Sequence, residues 1–310
     1  MFGGVLASDR PLPGLLIAPP HDDGQGVRWA LRTVDAPGES AVHGEDTRRV
    51  GTMTYGNDVV VTLARAVDDS AEIVITDTGR FTLANRTITH RAPSHVDRDA
   101  VALDLVGVVL PYALHRDGAW CIHASAVQTP TGVIAFVAPS GTGKSTLATV
   151  CVQAGCALVS DDVVVLRESP HGITVTPSGV PLRLDAATAR DVGAHAAGED
   201  AWGKVRVEGA MADVTLPLAA IYVLQPVRGD TLCARIARPT RAAALALLAN
   251  GKISALLGSD SDGDALTRCV SLAHRAVVYD LAVPRDLAQL GNVTHTLLAW
   301  HGDAAAMEPR

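Results

Sequence analysis

Apolar and polar residues alternate along the first third of the chain in short runs. Val59–Leu63, Glu72–Ile75 and Arg80–Thr89 read as three strands, separated by turns at Asp68-Asp69 and Thr78-Gly79. Ahead of them, residues 1 to about 48 are rich in Gly, Pro and Asp and carry little periodic signal. The period then becomes helical from Asp97 to His115, with Val101, Leu105, Val108, Val109 and Tyr112 on one face and Pro111 predicting a kink or early stop. These patterns predict a small β-rich amino-terminal domain over residues 1–96 and a second domain over 97–310.

In the second domain, strand signals begin near Trp120 with a run from Cys121 to Val127, followed by a turn at Pro130-Thr131-Gly132. An apolar run, Val133–Val137, leads into Ala138–Thr146, and helical spacing follows at Leu147, Val150, Cys151 and Ala154, with Gly155 as the C-cap. A short strand, Ala157–Val159, ends at Asp161-Asp162. Val163–Leu166 and Ile173–Thr176 form a hairpin about Pro170-His171-Gly172, and Asp185–Gly198 reads as an Ala-rich helix. Pro217–Leu224 is a buried strand, Thr240–Leu257 an apolar helix interrupted at Gly251, and Ala276–Leu281 a late strand. The expected fold class is α/β with α+β elements.

The stretch Ala-Pro-Ser-Gly-Thr-Gly-Lys-Ser-Thr at 138–146 matches a phosphate-binding loop in its strand-to-helix setting, with Ala138 where a first Gly is usual. The backbone N–H groups of Pro139 to Thr146, Pro139 itself excepted, can curl around phosphate oxygens: Ser140, Gly141, Thr142, Gly143, Lys144, Ser145 and Thr146. Lys144 reaches the β/γ oxygens of ATP, and the Ser145 hydroxyl is placed to ligate Mg²⁺. A helix of about eleven residues carries the chain roughly 16 Å from the loop. A strand of about five residues returns it by the same distance. Asp161 and Asp162 therefore fall beside the γ-phosphate, one to hold Mg²⁺ and the other to take a proton from an attacking hydroxyl. Like charges so close are expected to raise the pKa of one of them, which suits a base.

Ser140–Ser145, Gly155 with Leu158-Val159-Ser160-Asp161-Asp162, and Ile122-His123-Ala124-Ser125 together resemble the HPr serine kinase/phosphorylase catalytic domain, whose fold is related to phosphoenolpyruvate carboxykinase. The resemblance covers about residues 118–170 and looks most like the branch encoded beside peptide natural products, including lasso-peptide precursor kinases. It implies that Asp162 is the catalytic base and that His123 lies near it. That family carries a Glu-x-Arg-Gly signature after the Asp pair, where this chain has Val180-Pro181-Leu182-Arg183-Leu184, with the Arg but no Glu. The family's Glu is a magnesium ligand that serves the reverse reaction, so forward transfer alone is expected, unless Asp185 or Glu208 fills the place. Arg183 can clamp the transferred phosphate, and Lys204 or Arg206, in Gly203-Lys204-Val205-Arg206-Val207, can do the same on the far side; the alternation there fits an exposed strand face at least as well for both.

The 33 acidic against 26 basic residues, a formal charge of −7, argue against a nucleic-acid partner. Five cysteines without C-x-x-C spacing read as buried thiols of a reducing compartment. Met1–Pro20 lacks an export pattern and no apolar run reaches 18 residues, so a cytoplasmic enzyme away from membranes is expected. The expected activity is ATP-dependent transfer of the γ-phosphate to a hydroxyl, Ser above all, of a peptide or small protein such as a natural-product precursor. A kinase of a free amino acid or sugar, and a nucleotide-binding regulatory protein without turnover, stand as alternatives. Assembly into a homo-oligomer is left open.

Overall fold

Period-two alternation builds the first sheet of the computed structural model, which describes residues 1–2, 4–15, 27–35, 47–55, 57–228, 233–258 and 262–302. The predicted low-signal stretch lies in part outside these residues. Strands β1 (Gly4–Ser8), β2 (Val27–Asp35), β3 (Thr47–Tyr55), β4 (Asp58–Ala66), β5 (Ala71–Ile75), β6 (Gly79–Ala84) and β7 (Thr87–Ala92) pair in the order β1-β2-β7-β6-β5-β4-β3. Leu63, Ile73, Phe81, Leu83 and Ile88 share one face by register and are fully or almost fully buried. The single strand predicted over Arg80–Thr89 is instead a hairpin that turns at Asn85 and Arg86, whose φ angles are 47° and 59°. Two successive positive-φ residues match the twist of the flanking strands, but Asn-Arg lacks the glycine that usually announces such a turn.

The helical run is continuous through α1 (Arg98–Asp104), a π turn at Leu105–Val109 and α2 (Leu110–Arg116), and all five predicted core residues are buried. Pro111 does not end it. It follows the wider turn directly, where the hydrogen-bond ladder has already shifted by a residue and a missing N–H is tolerated. Two compact units divide the chain: residues 3–117 with 253–265, and 118–252 with 266–310. The division lies at Asp117/Gly118 and not at 96/97, because the helical run goes with the first sheet, tied by Thr78 Oγ1 donating to buried Asp104 at 2.6 Å and by an Arg116–Asp69 ion pair.

The second unit is built on β8 (Trp120–Ile122), β9 (Ala124–Thr129), β10 (Gly132–Val137), α3 (Lys144–Gln153), β11 (Ala157–Ser160), β12 (Val164–Ser169) and β13 (Gly172–Thr176). After these come β14 (Leu182–Leu184), α4 (Ala186–Asp191), β15 (Ala196–Glu199), β16 (Val205–Val207), β17 (Leu216–Val227), β18 (Arg235–Ala237) and α5 (Thr240–Ala249). A short α6 (Ser254–Leu257) belongs to the first unit, and α7 (Asp262–Arg275), β19 (Val278–Pro284) and α8 (Leu290–His301) complete the described chain. Every residue of β10 is buried, and it runs parallel to β17, which runs parallel to β19, while β9 lies antiparallel on its other side. A continuously apolar run is what a central, doubly covered strand requires. Leu147, Ala148 and Cys151 of α3 pack with Phe136, Leu158, Leu184, Val205 and Leu297 in one core, so the loop between β10 and α3 rests on rigid elements.

Two predicted segments differ. The strand Cys121–Val127 is broken at His123, which stands between β8 and β9. The helix over Asp185–Gly198 stops after α4, and β15 then forms the edge of a small sheet ordered β14-β16-β15. The apolar helix Thr240–Leu257 is interrupted at Gly251 as expected: α5 ends at Ala249, Asn250–Lys252 leave it to bond β8 and His123, and α6 begins at Ser254. α7 and α8 were not predicted.

At the far end of this core, the buried His301 ring spans Thr131 Oγ1 (Nδ1, 2.9 Å) and the Tyr222 hydroxyl (Nε2, 2.7 Å), and Arg235 donates to the same hydroxyl at 3.2 Å. Burial, helped by the Arg235 charge, pushes the His301 pKa down to about 4, so the ring is neutral in the fold. Between that value and about 6.5 the unfolded chain binds one more proton than the folded one, and stability falls with falling pH by up to about 1.4 kcal/mol per unit. Urea midpoints of the wild type should drop across this window more steeply than those of His301→Gln. Equal slopes would mean that another group carries the acid sensitivity.

Candidate active site

The loop 138–143 leaves β10 and enters α3 with Gly141 at φ 76° and Gly143, the N-cap, at φ 102°, so both glycines occupy the left-handed region. Ala138 has no such φ; it closes β10 in the core, and a side chain costs nothing there. Lys144 is buried, and its Nζ donates to the carbonyls of Ala138 at 2.8 Å and Pro139 at 3.3 Å, so the ammonium lies across the loop. Burial lowers its pKa, and the nearby Asp161 and Asp162 charges oppose that shift. The predicted loop residues Ser140, Gly141, Gly143, Lys144, Ser145 and Thr146 line one cleft together with His123, Asp161, Asp162, Arg183 and Lys204. Pro139 and Thr142 shape the turn instead, the Thr142 N–H donating to the Pro139 carbonyl.

The two adjacent carboxylates part company. β11 delivers Asp161 in ordinary backbone geometry, and Asp162 then adopts φ 69°, which no β-strand permits. Asp161 Oδ1 accepts from Ser125 Oγ at 2.6 Å and Ser145 Oγ at 2.8 Å, and its Oδ2 accepts from the Arg183 backbone N–H at 3.2 Å. An oxygen set of one carboxylate and one hydroxyl beside a phosphate loop fits Mg²⁺, which is held by one or two carboxylates plus substrate phosphates. Among the described residues no group of three or more His, Cys, Asp or Glu converges on one point.

Asp162 faces the other way. Its Oδ1 accepts from His123 Nδ1 at 2.9 Å and Lys252 Nζ at 2.7 Å, and Arg183 stands 3.7 Å from Oδ2. The expected rise in a carboxyl pKa is corrected for this residue. Burial does push it up, but the Lys252 charge and the His123 and Lys252 hydrogen bonds outweigh burial and hold it well below the usual carboxylate range. A cation lies closer to Asp162 than any second carboxylate's effect can match.

Lys252 was not foreseen. It and His123 are set by one short bridge, in which the His123 N–H donates to the Asn250 carbonyl at 2.7 Å and the Lys252 N–H to the Cys121 carbonyl at 2.8 Å. The Asn250-Gly251 pair, a turn signal, was the one local hint that the chain leaves the helix there. Asp200 was also missed. Its fully buried carboxylate accepts from Arg183 Nη1 at 3.2 Å, seventeen positions after that arginine. Leu182 and Leu184 enter the core on either side of Arg183, which leaves the guanidinium facing the cleft. Lys204 reaches the cleft; Arg206, held by the Glu199 carbonyl, does not line it. Asp185 borders the cleft but spends both oxygens capping α4 on Thr188.

No family model matches the chain, and no curated protein matches it. A search of solved structures returns the HPr(Ser) kinase/phosphatase from Coxiella burnetii, 13% identical, covering 58% of this chain and 97% of that chain with a TM-score of 0.33. Similarity at that level does not place the chain in a family; the geometry of the cleft is what bears on function.

Replacing Lys252 by Met removes the nearest cation, so the Asp162 carboxyl pKa should climb toward the ordinary range and any acid limb of activity should move to higher pH. Carbon-13 NMR of labelled aspartates measures this directly. An Asp162 signal that titrates as in the wild type would show that His123 and Arg183 hold the charge without Lys252.

Proposed function

We propose that this chain is an ATP-dependent phosphotransferase that moves the γ-phosphate to a hydroxyl, Ser above all, of a peptide or small protein. The observation that carries the proposal is Asp162: an ionised carboxylate in a cleft shared with a phosphate loop, fixed on three sides by His123, Lys252 and Arg183. A nucleotide-binding protein without turnover has no need of such a group.

In this reading the amides of Ser140, Gly141 and residues 143–146 and the Lys144 ammonium bind the triphosphate, and Ser145 with Asp161 holds Mg²⁺. When bound, the metal neutralises charge developing between the β- and γ-phosphates. Asp162 orients the acceptor hydroxyl and receives its proton. Its low pKa suits a loose transition state, in which the hydroxyl becomes acidic only as its bond to phosphorus forms. His123, donating through Nδ1, keeps the carboxylate turned toward the cleft, and Lys252 keeps it ionised. Arg183, steadied by Asp200, offers its guanidinium to the γ-oxygens during transfer.

The acceptor is read as polypeptide because the motif set around His123, Lys144 and Asp161-Asp162 resembles kinases that act on peptides and proteins, natural-product precursors among them. With Asp185 committed to its helix cap, forward transfer is the proposed direction.

Lys144→Ala should weaken Mg-ATP binding at least about tenfold, the usual range for losing a charge-assisted contact, and abolish phosphate transfer. Titration calorimetry and a radiolabelled-ATP transfer assay read the two effects. Unchanged ATP affinity together with retained turnover would remove residues 138–146 from the active site.

A further inference from the structure

Next to the cleft, the turn between β15 and β16 carries an indole that the core does not use. Trp202 is 52% exposed, whereas Trp120 is buried and Trp29 and Trp300 are half-buried. The turn is nevertheless held tightly. Asp200 Oδ1 accepts from the backbone N–H groups of Trp202 and Lys204, both at 2.9 Å, and the Asp200 N–H donates to the Lys204 carbonyl at 2.8 Å. The same carboxylate is fully buried and bonds Arg183, whose guanidinium sits 5.5 Å from the centre of the Trp202 ring. A large apolar ring costs free energy when it faces water, and one fixed this firmly in an exposed position loses little entropy on binding a partner.

Contacts order the cleft in one direction. Ser145 on the nucleotide loop bonds Asp161, Asp161 bonds the Arg183 backbone, Arg183 approaches Asp162, and Arg183 stacks on Trp202. Trp202 is thus joined to the carboxylate pair through Arg183, whereas Ser145 and Thr146 open α3. A nucleotide on the loop places its γ-phosphate toward the carboxylates and its α-phosphate toward the helix start, and Trp202 adjoins the carboxylate end through Arg183. What comes within reach of the indole is whatever brings the hydroxyl to Asp162.

We infer that Trp202 is the anchor of an acceptor-docking surface, and that the acceptor it fits is a polypeptide segment with an apolar or aromatic side chain close to its phosphorylated hydroxyl. This rests on the proposed kinase reading and adds to it the feature the acceptor must carry. Exposed Lys204, on the same turn, adds a cation that favours an acidic residue beside that side chain. Aromatic anchors next to an arginine are where binding energy concentrates at interfaces.

The test is a positional-scanning library of short, blocked Ser peptides with Mg-ATP, phosphorylated by the wild type, Trp202→Ala and Trp202→Phe. The wild type should select an apolar or aromatic residue at a position flanking the Ser. Trp202→Ala should lose that selection and raise KM for the best peptide about tenfold, with kcat and the KM for ATP within about twofold; Trp202→Phe should keep most of the selection. A preference unaltered in Trp202→Ala overturns the docking surface while leaving the kinase reading intact, and so does a rise in KM for ATP, which would make Trp202 a nucleotide contact. If the wild type phosphorylates no member of the library, the peptide-kinase reading itself fails and the docking surface goes with it.

Discussion

The site depends on one backbone residue in an unfavourable place. Asp162 sits at φ 69°, a region that costs a residue with a side chain of order 1–3 kcal/mol and persists only where the surroundings impose it. That turn sends neighbouring carboxylates to opposite tasks: Asp161 to the two serine hydroxyls beside the loop, Asp162 to His123 and Lys252. Had both continued the strand, they would have alternated faces, and one would have been lost to the core. The strain is met by hydrogen bonds and charge. An unpaired carboxylate in this cleft would be costly, and the Lys252 ammonium at 2.7 Å and His123 offset that cost.

Core packing and backbone pairing also fix the loop and the carboxylates relative to one another. The loop is fixed at one end by β10, buried along its whole length, and at the other by α3, whose Leu147 and Cys151 lie in the same core. His123 and Lys252 are fixed to each other by the bridge between β8 and Asn250–Lys252. Arg183 is fixed by leucines on either side of it and by Asp200. Each charged group is thus held by backbone pairing or core packing and not by its charge partner alone, which is the preorganisation that phosphoryl transfer needs.

What was legible in the sequence is what local chemistry encodes. The glycines and lysine of the loop form a short pattern, and simple rise-per-residue arithmetic returned Asp161 and Asp162 to it. Where long-range pairing decides, the sequence was silent. Lys252 reaches Asp162 across 90 residues through two backbone hydrogen bonds that no periodicity announces. Asp200 reaches Arg183 only because β15 and β16 turn back on β14. The hairpin at Asn85-Arg86 and the helix that continues through Pro111 show the same limit in local form: a turn without its glycine, and a proline made harmless by a π turn. The direction of the Asp162 pKa was misjudged because the neighbouring carboxylate was visible in the sequence and the neighbouring lysine was not.

The central claim is that the Asp162 carboxylate acts on the acceptor and not on the nucleotide. Phosphorus-31 NMR of Asp162→Asn with Mg-ATP and a phosphorylatable Ser peptide separates the two, since it reports nucleotide binding and phosphomonoester formation in one sample. The account predicts ATP resonances shifted as in the wild type, at an affinity within about twofold, and phosphomonoester forming at least about a hundredfold more slowly, the range for loss of a general base. Phosphomonoester appearing at the wild-type rate in that variant would contradict it.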